Sequence, residues 1–153
     1  MLKHYENNKI LARSKFRRIS CILAITKTGL RKDELKDCLE VKIETIEVYL
    51  KLFSFALLEF KSQFKFNNEA YKLTVEKLYM QEELFRNEIH SSIFTILLKT
   101  KHFNSNIRLI DEVSYNIYKQ SNQWLRLKDL LSNLEIFCQL YKPDDKYTLA
   151  MYW

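Results

Sequence analysis

Glycine and proline are almost absent from this sequence, with one residue of each among 153. Because these two residues form turns and interrupt helices, a chain without them is predicted to be rich in helices joined by short polar connections. Hydrophobic residues make up 47% of the chain, which is enough to build a buried core. The sequence therefore indicates a folded, mainly helical protein.

Signals for membranes, secretion, metals and catalysis are missing from the sequence. No segment reaches the roughly 18 consecutive apolar residues of a membrane span, and the first ten residues are polar. The three cysteines form no paired motif, and the three histidines have no ligand spacing with them. A single glycine cannot build a phosphate-binding loop, and no nucleophile stands beside a base. We expect a cytoplasmic protein that is not an enzyme, with reduced cysteines, no metal, no cofactor and no membrane partner.

Positive charge is concentrated at the start of the chain. Residues 1–32 contain nine basic residues and one acidic residue, so their net charge is +8. The net charge of the whole chain is +6. Residues 33–87 have a net charge of −3, and residues 88–153 of +1. A basic segment of this kind suits a polyanion such as DNA, RNA or an anionic membrane, and the alternative is a solvated charged helix.

The first half of the sequence predicts three helices followed by a hairpin. Apolar spacing predicts the helices, over residues 10–26, 32–39 and 44–57, with Gly29 ending the first. Near-alternation on either side of an Asn-rich turn predicts the hairpin, with strands over 64–66 and 71–75. This is the order of a winged helix-turn-helix, in which the third helix enters the major groove and the hairpin contacts the DNA backbone.

The same order recurs in the second half. A linker helix is expected over 76–89, followed by helices over 91–103, 107–118 and 121–134, the last capped by Ser121, and then by a strand, turn and strand over 141–147. The repeat predicts a mostly α fold with small β-hairpin wings, arranged as two tandem winged helix-turn-helix units. The boundaries are a first unit over 1–76, a linker helix over 77–90 and a second unit over 91–153.

Three stretches carry a likeness to a known family: residues 11–23, residues 34–41 with 44–53, and residues 91–98 with 121–134. They resemble the basic first helix and the two helix-turn-helix motifs in the DNA-binding halves of the Gram-positive virulence regulators Mga and AtxA. The resemblance implies a bacterial transcription regulator that binds promoter DNA as a dimer or larger assembly. Members of that family continue into phosphotransferase-regulated and C-terminal domains, and this sequence stops before those domains. We therefore expect a short relative, plasmid- or phage-borne, or the DNA-binding part of a longer regulator.

Candidate DNA contacts follow from the positions of the two third helices. Outward polar side chains near the start of such a helix contact bases, and nearby lysines and arginines contact phosphates. The residues predicted to contact bases are Asn122, Gln123, Arg126, Lys42 and Thr45. Those predicted to contact the DNA backbone are Arg13, Lys15, Arg17, Arg18, Lys65, Lys72, Lys128, Lys142 and Lys146. Glu44 and Glu47 weaken the assignment for the first unit because carboxylates repel phosphates, and Trp124 is expected in the core.

The leading hypothesis is a sequence-specific, double-stranded DNA-binding transcriptional regulator that forms a homodimer. Two alternatives stay open. A winged-helix scaffold also serves as a protein-interaction module or small inhibitor, and fold does not dictate function. A plasmid replication initiator would share the DNA chemistry but differ in its target. The acidic first recognition helix and the negative middle segment favour a protein partner, whereas the basic N-terminal segment and the polar residues near Arg126 favour DNA.

Overall fold

The computed structural model describes the backbone of residues 2–120, 122–141 and 149–152, and the side chains from residue 14 onward. The described part is mostly helical, with one small two-stranded antiparallel sheet, which confirms the predicted helix-rich fold with a hairpin. None of its helices is long and apolar enough to cross a membrane. The chain divides into two compact units, residues 1–89 and residues 90–153.

The first unit contains four helices, a hairpin and the start of a fifth helix. Its elements are α1 (Leu2–Ile25), α2 (Lys32–Leu39), α3 (Ile43–Leu52), β1 (Leu57–Phe60), β2 (Gln63–Phe66), α4 (Glu69–Tyr79) and the first part of α5 (Glu83–Leu98). Helix α1 packs against α4, and α2 packs against α3. The predicted second helix is confirmed to the residue, whereas the predicted third helix ends at Leu52 because the following residues turn into β1.

Gly29 allows the chain to turn sharply after α1 and to reach the hairpin. Its φ is +93°, a value that residues with a Cβ rarely adopt. A Cβ at this position would lie 3.1 Å from the Cβ of Gln63. Leu30 then forms an isolated antiparallel bridge to Phe64 in β2. The Leu30 amide donates to the Phe64 carbonyl at 3.1 Å, and the Phe64 amide donates to the Leu30 carbonyl at 2.8 Å.

The core of the first unit is aromatic on the side where α1, α3 and β2 meet. The Phe16 and Phe53 rings stack with centroids 5.1 Å apart, and Phe53 meets Phe66 edge-on at 5.5 Å. Aliphatic side chains complete this core: Ile19, Ile22, Leu23, Leu35, Ile46 and Leu50. Burying these side chains is the main stabilising contribution that holds the helices together.

The hairpin lies earlier in the chain than the sequence pattern predicts. Strand β1 pairs with β2 through a two-residue turn, Lys61 and Ser62, whose φ values of 50° and 61° match the positive φ that a type I′ turn needs. The predicted return strand over 71–75 is wrong because those residues belong to α4. Asn68, which the pattern placed in a turn, is the N-cap of α4, and its side-chain oxygen accepts from the Ala70 amide at 2.8 Å.

The second unit is helical in its described residues. It comprises the remainder of α5, a 3₁₀ turn over Phe103–Ser105, α6 (Ile107–Tyr118), α7 (Trp124–Leu131) and α8 (Leu134–Leu140). Helix α6 has its predicted bounds, and its apolar face packs against α7 and α8. The core residues of this unit are Ile93, Leu97, Leu109, Ile110, Val113, Ile117, Leu127, Leu131, Ile136 and Leu140.

Three predicted elements of the second half differ from the structure. The linker helix predicted over 76–89 is interrupted, since α4 ends at Tyr79 and α5 begins at Glu83, and the helix predicted over 91–103 ends at Leu98. The helix predicted over 121–134 stops at Leu131, because Asn133 caps a new helix by accepting from two amides of α8. Ser121 lies outside the described residues, as does all but Tyr141 of the strand, turn and strand predicted over 141–147.

A buried row of polar side chains joins α5 and α6 within the second unit. Glu112 and Asn116 are one turn apart on α6, and Gln120 lies two residues after this helix ends. All three are almost completely buried. His90 Nδ1 and Asn116 Oδ1 lie 2.9 Å apart, and Asn116 Nδ2 donates to Glu112 Oε1 at 2.8 Å. The Ser91 hydroxyl donates to Gln120 Oε1 at 2.9 Å. Each bond satisfies groups whose burial without a partner would destabilise the unit.

Candidate interaction surface

Two arginines of α1 that were expected to contact DNA, Arg17 and Arg18, bind other parts of the first unit. Arg17 Nη2 donates to the Tyr79 carbonyl at 2.7 Å, and its guanidinium carbon lies 4.0 Å from the centroid of the Phe85 ring. Arg18 forms an ion pair with the Glu88 carboxylate. Both side chains are thereby directed at α4 and α5 instead of outward.

Two other predicted backbone contacts also have partners within the chain. The Lys65 ammonium donates to the Lys27 carbonyl at 3.2 Å. Lys72 lies in α4, outside the hairpin, and its ammonium is 3.1 Å from a carboxylate oxygen of Glu69. Lys15 lies in α1 and is half-buried. Arg13 is also in α1, but its side chain lies outside the described part of the structure.

Helix α3, the predicted reader of the first unit, presents few cations. Lys42 is the exposed N-cap residue of this helix, and Thr45 is half-buried one turn into it. Glu44 and Glu47 are exposed on the same helix. The Glu47 carboxylate lies 3.1 Å from the Lys32 ammonium of α2. The helix therefore offers carboxylates where phosphate binding would need positive charge.

Several large apolar side chains are exposed along the segment that runs from α3 into the hairpin. We call these residues the exposed apolar set: Val48, Leu52, Phe55, Leu58 and Phe60. Their exposed fractions lie between 44% and 69%. The sequence pattern does not reveal their exposure, because an apolar residue in a regular pattern is assigned to the core by default. The alternation Leu57-Leu58-Glu59-Phe60 was the available signal, since it places Leu58 and Phe60 on the same strand face.

The second unit brings most of its predicted base contacts together at the start of α7. Asn122 is exposed just before the helix, Gln123 is its half-buried N-cap residue, and Arg126 and Lys128 are exposed on it. The Arg126 guanidinium carbon is 5.6 Å from the centroid of the Phe94 ring. Lys142 and Lys146 lie outside the described residues.

Trp124 is 65% exposed, so the expectation that it faces the core is wrong. Leu127 and Leu131 occupy the buried face of α7. The indole instead borders an open cavity of about 260 Å³ that Leu127, Leu131, Lys128 and Tyr152 also line. Tyr152 is anchored there by its hydroxyl, which lies 3.0 Å from a carboxylate oxygen of Asp111.

The titratable groups that depart from their ordinary behaviour do so through burial. Burial raises the pKa of the Cys21 thiol to about 11, and the nearby Arg17 and Arg18 charges only partly oppose it. Burial, together with the Asp111 carboxylate, also raises the pKa of the Tyr152 hydroxyl. Both groups therefore stay protonated at neutral pH. In the described part of the chain, no three histidine, cysteine or carboxylate side chains are grouped as metal ligands would be.

Comparison with known proteins gives one local likeness. Over 88 residues the chain is 33% identical to a TPR repeat-containing protein of Dictyostelium discoideum. The match covers 58% of this chain but 5% of that relative, so the chain corresponds to a small segment of a much longer protein. No family model and no solved structure matches the chain.

Proposed function

We propose that this chain is a protein-interaction module, without enzymatic activity, whose first unit binds a segment of another protein. The order of α1, the Leu30 bridge, α2, α3 and the hairpin supports a winged-helix arrangement for this unit. Such a scaffold supports different functions according to the side chains that it exposes. The function therefore has to be argued from the exposed residues.

The observation that carries the proposal is the position of the exposed apolar set. Its members lie on α3, in the following turn and on the outer face of the hairpin. In a DNA-binding winged helix these elements contact the groove and the sugar-phosphate backbone, where polar and cationic side chains are required. Val48 and Leu52 lie one turn apart on α3. Leu58 and Phe60 share one face of β1. Exposed apolar neighbours of this kind favour a protein surface as the partner.

The charges of the first unit support the same proposal. Arg17 and Arg18 are engaged with α4 and α5, so they contribute little to an outward cationic face. Glu44 and Glu47 add negative charge to the helix that would enter the groove. Phosphate contact by α3 would bring these carboxylates close to phosphate charges of the same sign, whereas an apolar partner would not meet that cost.

The relative supports a role in protein interaction as well. TPR repeats are stacked helix pairs, and repeat proteins of this type form extended binding surfaces. This chain is similar to a segment of a protein that contains such repeats, which is in keeping with a role in protein interaction.

Selection of peptides from a random phage-displayed library on the full chain tests the proposal. Synthetic copies of the selected peptides are then titrated by fluorescence anisotropy against the parent chain and against Phe60→Ser. We expect Phe60→Ser to weaken binding about tenfold, since a single aromatic anchor typically carries more than 1 kcal/mol of binding energy.

Trp124→Ser is the matched control, because Trp124 is also an exposed aromatic residue but belongs to the second unit. Peptide affinity should be the same for Trp124→Ser and the parent. Failure to select any peptide, or equal binding by Phe60→Ser and the parent, would contradict the assignment of this surface.

A second candidate is DNA binding through α7, in line with the resemblance to the Mga and AtxA regulators. Asn122, Arg126 and Lys128 are exposed within a short stretch, and their chemistry suits base and phosphate contacts. If α7 reads DNA, Arg126→Ala should cost about 1–3 kcal/mol on a cognate duplex. Anisotropy of a labelled duplex from the upstream region of the gene, at two salt concentrations, decides this candidate. Equal affinity for a scrambled duplex would exclude sequence-specific binding.

A further inference from the structure

We propose that β1 binds its partner by strand addition, so that an extended peptide extends the sheet at the free edge of β1. This inference rests on the proposed protein-binding function and specifies how the partner is bound. Strand β2 has neighbours on both sides, β1 on one and the Leu30 bridge on the other. Within the part of the chain that the structure describes, β1 is paired on one side only.

The outward backbone groups of β1 can be identified from its register. Phe64 directs its amide and carbonyl away from β1, toward Leu30, and Phe64 stands opposite Glu59. Antiparallel strands contain residue pairs that are not hydrogen-bonded to each other, and in these pairs both residues direct the amide and carbonyl away from the partner strand. The amide and carbonyl of Glu59 therefore point out of the sheet, and those of Leu57, opposite Phe66, do the same. An incoming strand finds this pattern of donors and acceptors ready to pair.

The edge lacks several of the features that usually prevent such pairing. Proteins protect exposed edges by keeping them short, or with charged side chains, prolines or bulges. Strand β1 is short and carries the charge of Glu59, but it has no proline, lysine or bulge in its four residues. Leu58 and Phe60 lie on the outer face, 44% and 63% exposed. An added strand would cover them with its own side chains at alternate positions, which gives the partner an apolar residue at every second position.

The charge beside this edge indicates an acidic partner. The Lys61 ammonium lies 5.2 Å from the centroid of the Phe60 ring, and Lys65 is on the adjacent strand. Because the Lys65 ammonium donates to the Lys27 carbonyl, Lys61 supplies the positive charge at the Phe60 end of β1. A peptide with a carboxylate near the Phe60 end would therefore gain an ion pair.

The size of the edge argues against a second copy of this chain as the occupant. Four residues of strand span about 13 Å, at roughly 3.3 Å per residue. Stable dimers bury about 1,200 Å² or more of total surface, which a strand of this length does not provide. An extended peptide segment with alternating apolar residues and a carboxylate is the partner that the edge fits.

The test compares two variants at the same residue, using the peptides selected from the random library as probes. Glu59→Pro removes the outward amide, and proline is tolerated on an edge strand where its nitrogen faces solvent. Glu59→Ala keeps that amide. We expect Glu59→Pro to weaken peptide binding about tenfold and Glu59→Ala to leave it within about twofold. The lost hydrogen bond and the clash of the proline ring with the added strand together cost more than about 1 kcal/mol of binding free energy.

A second measurement keeps the test valid if Glu59→Pro unfolds. The selected peptide is synthesised with N-methyl groups on its alternate amides, which blocks strand pairing, and is titrated against the unaltered chain. A loss of about tenfold supports strand addition. Equal affinity of the methylated and plain peptides would overturn it, as would parent-like binding by folded Glu59→Pro.

The two proposals fail in different ways. Peptides that depend on Phe60 but ignore Glu59→Pro and N-methylation would leave the protein-binding function in place and overturn strand addition. An absence of any selected peptide would overturn both.

Discussion

Arg17 places its guanidinium carbon 4.0 Å from the centroid of the Phe85 ring while donating a hydrogen bond to the Tyr79 carbonyl. One side chain of α1 thus connects the end of α4 with the beginning of α5. The arginine contributes to the basic N-terminal charge, yet its position gives it a structural role. The same charge that suggests a polyanion in the sequence is partly used to hold the first unit together.

Arg17→Ala should reduce the free energy of unfolding by about 2–3 kcal/mol. The variant loses a charged hydrogen bond and a cation–π contact, and it leaves a partly buried carbonyl without a partner. Urea denaturation followed by circular dichroism measures the change. Lys42→Ala, at an exposed position, is the control and should change stability by no more than about 0.5 kcal/mol. Indistinguishable unfolding of the two variants would refute the structural role.

Gly29→Ala should destabilise the first unit by about 1–2 kcal/mol. The backbone at this residue has φ of +93°, and the added Cβ would lie 3.1 Å from the Gln63 Cβ and 3.3 Å from the Phe64 carbonyl oxygen. Ser62→Gly is expected to have the opposite sign, because its φ of 61° is strained for serine and free for glycine. Thermal unfolding of both variants checks the pair, and a shift of the same sign in both would contradict this backbone account.

Asn116→Ala should be among the most damaging polar substitutions in the second unit. The change removes hydrogen bonds to His90 and Glu112, two groups that stay buried. A loss of about 2–4 kcal/mol is expected because two buried polar contacts are lost in one substitution. Asn104→Ala, at an exposed position of the 3₁₀ turn, is the matched control. Similar urea midpoints for the two variants would show that the buried row contributes little.

Cys21 makes the stability of the first unit sensitive to high pH. Its pKa is raised from 9.0 to about 11 in the folded chain, so the folded state keeps the thiol proton longer than the unfolded state does. This contribution is fully present below pH 9 and is lost as the pH rises from 9 toward 11.

Urea midpoints of the parent and of Cys21→Ala, each measured at pH 9 and at pH 11, isolate the loss of stability that ionisation of this thiol causes. The parent should lose about 2 kcal/mol more than the variant between pH 9 and pH 11, since each pKa unit corresponds to about 1.4 kcal/mol and the linkage is not complete at either end. Parallel losses in the two proteins would rule out Cys21 as the cause.

The sequence predicted best where one local rule decides the structure. Helices α2 and α6 have their predicted bounds, because apolar spacing and capping residues agree there. The hairpin was misplaced because Tyr71 and Val75 satisfy both a strand alternation and a helical spacing of four residues. Packing against α1 and the cap at Asn68 select the helix. Local pattern alone does not distinguish the two outcomes.

The candidate surface was hidden from sequence reasoning for a different reason. Arg17 and Arg18 meet partners 62 and 70 residues away, and no local pattern reveals such contacts. Phe60 belongs to a regular alternation, but which strand face is buried depends on how β2 packs beneath it. The sequence identified the residue types, whereas their exposure and partners required the folded chain.

Chemical-shift mapping of backbone amides tests the central claim most directly. The isotope-labelled full chain is titrated with a peptide selected from the random library. The account predicts that the largest shifts fall between Val48 and Phe60, with the amides of Leu57 and Glu59 among them. Shifts confined to the start of α7, from Asn122 to Lys128, would contradict it and return the assignment to that helix.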